Sequence, residues 1–102
     1  MATLHTVNKS PFERNALQTC VAHMSVGDAV LMFEDAVIGA RKGSAAAALV
    51  EAAVQTGKVY VLGADMAARG VKPDDIVSGA QVVDYGKFVD LVVEHGRTVA
   101  WL

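Results

Sequence analysis

The sequence predicts an α/β domain in three layers, a mostly parallel five-stranded sheet with helices on both faces. Three observations carry this. Short runs of strand-forming residues alternate with helical segments along the whole chain, the order that produces parallel strands joined by crossovers. One of those runs, Asp28 to Glu34 (DAVLMFE), is apolar without alternation, as a strand covered on both faces must be. The 102 residues suffice for one domain, spanning 1–102, with a single sheet.

Taken in order, Ala2 to Val7 is rich in strand formers and reads as the first strand, stopped by Asn8-Lys9-Ser10-Pro11. Ser10, Pro11 and Glu13 fit a capping box with proline at the first helical position. A helix is therefore expected over Pro11 to Met24, with Phe12, Ala16, Leu17, Cys20, Val21 and Met24 on one face. Asp28 to Glu34 is the second strand, and residues 35–41 have room for one helical turn. Ser44 is placed to cap a helix from Ala45 to Thr56, with Gly57 as its stop. Lys58 to Leu62 (KVYVL) is the third strand, Ala64 to Arg69 a short helix closed by Gly70, and Val71 to Gly79 a loop with one turn. Gln81 to Val83 is the fourth strand. Tyr85 to His95 is the last helix, with Phe88, Leu91 and Val92 facing inward, and Thr98 to Leu102 is the fifth strand.

The composition excludes several classes of function. The chain is 53% hydrophobic and 20% charged, which leaves apolar surface available for a partner. A net charge of −2 argues against nucleic acid as the main ligand, because phosphate neutralisation needs clustered Lys and Arg. No apolar run reaches the roughly 18 residues that a membrane-spanning helix needs. The first eight residues lack a basic segment, and His5 and Asn8 interrupt any apolar core, so no secretory signal is expected. A single cysteine precludes an internal disulfide, and a cytoplasmic location is expected.

Cys20 is the first candidate for chemistry. It lies in the second half of its helix, where the dipole disfavours a thiolate, and on the apolar stripe, where a small buried hydrophobe is the simpler reading. His23, at i+3, is within side-chain reach and is a candidate activator. His5, His23 and His95 are scattered along the chain, so no metal site is expected. His5 reads as a hydrogen-bonded structural histidine, and His95 as a helix-terminal one. The segments Gly39 to Ser44 and Thr6 to Ser10 precede helices and could meet an anion, but neither matches a phosphate-loop spacing, and no cofactor is expected. The acidic pair Glu34-Asp35 follows the second strand rather than the first, which does not fit a phosphoacceptor domain, and there is no Gly-x-Ser-x-Gly elbow.

Several segments, in order and spacing, resemble one family. They are Leu4-His5-Thr6-Val7 with Ser10-Pro11, Glu34-Asp35-Ala36-Val37, Val59-Tyr60-Val61-Leu62, Asp65 with Ala68-Arg69-Gly70, Asp84-Tyr85 with Phe88-Val89, and the ending Ala100-Trp101-Leu102. Together they resemble the DsrH/TusB family of sulfur-relay subunits. The resemblance implies a flavodoxin-like or Rossmann-like domain of the DsrE type. It implies a place beside the paralogous subunits DsrE and DsrF in a dimer of heterotrimers, a heterohexamer that hands persulfide sulfur to the carrier DsrC in dissimilatory sulfur oxidation. A TusB-like subunit, with TusD, TusC and the carrier TusE in tRNA wobble-uridine 2-thiolation, is the alternative. DsrH-type chains tend to carry a cysteine at this place, so Cys20 leans the expectation toward the DsrH branch. One departure stands out: the family's sulfur-accepting paralogue has its cysteine near the end of the third strand, where this chain has Leu62-Gly63-Ala64. The expected role is thus accessory, with Cys20 as a possible secondary persulfide carrier. A flavin- or nucleotide-binding module is the alternative of another class.

Overall fold

A computed structural model describes residues 2–102. Its elements are β1 (Thr3–Val7), α1 (Ala16–His23), β2 (Ala29–Met32), a 3₁₀ stretch (Glu34–Ala40), α2 (Ala47–Thr56), β3 (Lys58–Leu62), α3 (Gly63–Ala68), a 3₁₀ turn (Pro73–Asp75), β4 (Ala80–Val83), α4 (Tyr85–Glu94) and β5 (Arg97–Trp101). The strands form one sheet in the order β4-β3-β2-β1-β5, and every neighbouring pair is parallel.

This order explains an unequal distribution of helices. From β1 to β4 the chain steps in one direction across the sheet, so right-handed crossovers put α1, the 3₁₀ stretch, α2 and α3 on the same face. The return from β4 past three strands to β5 runs the other way and puts α4 on the opposite face. The two cores follow. Val7, Val30, Met32, Val59 and Val61 point to the crowded face, against Leu17, Cys20, Val37, Val50 and Met66. Leu4, Ala29, Leu31 and Tyr60 point to the other, where α4 supplies Leu91 and the half-buried Phe88. The two inward-facing sets alternate along each central strand, which is why β2 is buried at every position.

Several boundaries differ from expectation. The capping box at Ser10 does not form, and α1 begins at Ala16 rather than Pro11. Ser10 instead closes a turn: its Oγ accepts from Phe12 N at 3.2 Å, and its carbonyl accepts from Glu13 N and Arg14 N at 3.1 and 3.0 Å. The turn seats Pro11 against Gly39, where a Cβ would lie 2.7 Å from Pro11 Cγ. Phe12 consequently falls outside the helical register and is 53% exposed. Ser44 does not cap α2, since its Oγ donates to the Gly39 carbonyl at 3.3 Å and the helix starts at Ala47. Residues 34–40 make two 3₁₀ turns rather than one helical turn. In α4, Leu91 faces the sheet as expected, but Val92 is 42% exposed. Gly57 ends α2 as predicted, and a tertiary reason adds to the helical one: a Cβ there would collide with the Asp28 carbonyl, which accepts from Lys58 N as β3 begins.

Candidate functional site

In open α/β sheets, ligand and partner sites gather at the carboxyl ends of the strands. Here that edge is built from Asn8 after β1, Glu34 and Asp35 after β2, and, after β3, Asp65 of α3 and Arg69 at the C-cap of that helix. Glu34 takes φ +48°, the only positive φ of a non-glycine residue among those described. Strain of this kind persists only where neighbours impose it. The neighbours are identifiable: Glu34 N donates to Asp65 Oδ2 at 2.6 Å, and Glu34 Oε1 accepts from Asn8 Nδ2 at 3.3 Å. Arg69 donates through Nε and Nη2 to Asp35 Oδ1 at 3.0 and 2.8 Å, and through Nη1 to the Asp65 carbonyl at 3.2 Å. The first three strand ends are thus tied together by polar side chains. The rim offers carboxylates and one guanidinium but no thiol or imidazole, and Leu62-Gly63-Ala64 supplies no nucleophile. Its side chains can make ionic and hydrogen-bonding contacts, and none of them is a sulfur nucleophile.

Cys20 lies elsewhere, on the inner face of α1 within the larger core, and is fully buried. Its thiol is pushed up from 9.0 to about 12, chiefly by burial and further by the Asp28 carboxylate. A thiol in that state is a poor nucleophile. His23 is exposed; its Nδ1 donates to the Thr19 carbonyl at 2.8 Å and its ring tilts against Trp101 at 5.4 Å. No hydrogen bond joins His23 to Cys20 among the described residues. The pair that sequence spacing brings together is therefore not assembled for thiolate formation in this conformation.

The expectation of a hydrogen-bonded structural His5 is met, but the partners that make it a buried polar network were not foreseen. His5 Nε2 lies 2.9 Å from Asp28 Oδ2, and Trp101 Nε1 donates to His5 Nδ1 at 3.0 Å. Asp28 also accepts from Thr3 N at Oδ1 and Ser25 N at Oδ2, both at 3.0 Å. The signal was faint: a lone acid before an apolar strand and a tryptophan one residue from the end. The expectation for His95 is met, as its Nδ1 donates to the Leu91 carbonyl at 2.7 Å. The two anion-loop candidates spend their polar groups internally. Lys42 N donates to the Asp75 carbonyl and Ser44 N to the Arg41 carbonyl, while Ser10 closes its own turn. No grouping of metal-ligating side chains occurs among the described residues, and no helix there is long and apolar enough to cross a membrane.

Comparison with known proteins adds to this geometry. The family model described as "DsrH like protein" matches residues 9–98. Protein TusB of Pectobacterium parmentieri is 36% identical over 99 residues, covering 96% of this chain and 99% of that protein. Protein TusB of Erwinia tasmaniensis is 39% identical over the same length and coverage. Among solved structures, the ychN protein from E. coli superposes with a TM-score of 0.81 at 14% identity, covering 99% of this chain and all of that one, a likeness of fold.

Proposed function

The chain belongs to the DsrH-like protein family, and from that premise we propose that it is an accessory subunit of a sulfur relay. The relay of tRNA wobble-uridine 2-thiolation is the favoured setting. The name TusB carried by relatives at 36% and 39% identity supports that branch over the sulfur-oxidation branch toward which Cys20 leaned. The partners proposed are paralogous subunits of the TusC and TusD kind, in a heterohexamer, and a carrier of the TusE kind.

The observation that carries the accessory role is the state of the only thiol. In persulfide transfer a thiolate attacks the outer sulfur of a donor persulfide, one S–S bond forms as another breaks, and the donor leaves as its own thiolate, with no net oxidation. The attacking group must be ionised and reachable. Cys20 is neither, being buried and held protonated, and it is the only cysteine in the sequence. The accepting cysteine then belongs to another subunit. This chain contributes its folded surface and the tied carboxyl edge of β1, β2 and β3 to the assembly.

The test uses the complex as it co-purifies. After loading with persulfide, intact mass of each subunit is measured, and transfer to the carrier is followed with wild-type protein and with Cys20→Ala. The expectation is no added sulfur on this chain and unchanged transfer by the variant. A sulfur adduct on Cys20 together with lost transfer in Cys20→Ala makes it a carrier instead. Removal of the chain from its host is expected to deplete 2-thiouridine in tRNA. Intact tRNA thiolation with impaired sulfur oxidation would move it to the other branch.

A further inference from the structure

We propose that His5 is a proton-operated latch on the end of the C-terminal strand: uncharged, it holds the Trp101 indole, and on gaining a proton it lets the indole go. The reasoning starts from hydrogen-bond inventory. An indole N–H can only donate. His5 Nδ1, 3.0 Å from Trp101 Nε1, must therefore present its lone pair. The proton of the neutral ring then sits on Nε2 and is donated to Asp28 Oδ2 at 2.9 Å. Both nitrogens are committed, and the ring is 4% exposed.

A second proton has one place to go, Nδ1. There it would point at the indole N–H, replacing a hydrogen bond with two opposed donors. The bond to Asp28 would meanwhile strengthen, because it becomes an ion pair. The charged form therefore keeps Asp28 and discards Trp101. Release is local, since Trp101 is the last residue of an edge strand and only half-buried, although it gives up the indole's packing against the larger core.

The groups surrounding His5 are few. Asp28 comes from the turn before β2 and is also held by Thr3 N and Ser25 N. Cys20 on α1 feels the Asp28 charge and stays protonated. Arg97 on β5 donates to Thr3 Oγ1 at 3.2 Å. His23 on α1 tilts against the same indole at 5.4 Å. A proton on His23 acts in the opposite sense, because a cation near an aromatic ring is attracted to it.

Trp101 is the only tryptophan, so the ¹⁵N-labelled full chain, with whatever subunits co-purify, gives one indole resonance to follow. Near neutral pH, His5 is expected as the Nε2–H tautomer. His23 and His95, whose Nδ1 atoms donate to carbonyls, are expected as Nδ1–H. As the pH is lowered, the indole resonance should move toward its solvent-exposed position in step with the ring resonances of His5 itself. That shift should survive His23→Gln and vanish in His5→Gln, whose side-chain carbonyl can accept from the indole at any pH. A proton on His5 Nδ1 at neutral pH, an indole resonance unmoved while His5 gains its second proton, or a transition abolished by His23→Gln overturns the proposal. The tautomer measurement on the wild-type chain decides by itself if His5→Gln does not fold.

Discussion

Asp28 stands alone before the second strand and shows how one side chain can join distant parts of a chain. Its carboxylate accepts from Thr3 N, Ser25 N and the His5 imidazole, tying the start of β1 to the turn that leads into β2. Burial works against its ionisation, but the hydrogen bonds from Ser25, His5 and Thr3 outweigh it, and the carboxyl is lowered from 3.8 to about 2. A carboxyl lowered on folding stabilises the fold above its unfolded value, and that contribution is lost as pH falls from 3.8 towards about 2. Asp28→Asn keeps the shape but removes the charge and one acceptor oxygen. Chemical denaturation near neutral pH is expected to show a loss of about 3 kcal/mol, and the acid limb should flatten between pH 3.8 and about 2. A variant as stable as its parent, or one that keeps the same acid limb, would contradict this account. Cys20 shows the complementary case. Its position on an apolar stripe was legible as burial, and burial alone accounts for most of its raised pKa.

At the scale of elements, α4 carries one layer of the molecule with little buried surface. Leu91 is its only fully buried side chain, while Val89 and Val93 are 62% and 79% exposed. Truncation should therefore be strongly position-dependent. Leu91→Ala is expected to cost about 3 kcal/mol by leaving a cavity against Leu4, Leu31 and Tyr60. Val93→Ala should stay within about 0.5 kcal/mol. Thermal or denaturant midpoints of the two variants check the contrast, and equal losses would mean that α4 packs differently. The pattern of α4 was readable because period 3.6 marks a helix, but it did not say which part of a wide apolar band meets the sheet. Val92 was assigned inward on that ground, yet the sheet reaches only as far as Leu91 and Phe88. The start of α1 was misplaced for a related reason. Ser10, Pro11 and Glu13 satisfy a local capping rule, and a tertiary contact between Pro11 and Gly39 draws the same residues into a turn.

At the scale of the whole molecule, the strand order sets what is rigid. β1, β2 and β3 have neighbours on both sides, while β4 and β5 are edges. Amide exchange is expected to be slowest in Leu31, Met32 and Val61 and faster by orders of magnitude in β4 and β5, because edge strands open without disturbing the rest. Uniform protection across all five strands would show that the edges are covered in the state measured. The α/β class and the parallel sheet were determined by the sequence itself: unbroken apolarity over Ala29–Met32 is a local property that only a doubly covered strand accommodates. The five strands, the buried side of Cys20 and the lack of a thiol after β3 were equally local, and so legible. The order β4-β3-β2-β1-β5, the lone helix on one face, the tie of Glu34 to Asp65 and Asn8, and the contact of His5 with both Asp28 and Trp101 were decided only by the tertiary structure. His5 and Trp101 stand 96 residues apart. Periodicity and capping report on neighbours within a few positions, and nothing in them encodes which strand lies beside which.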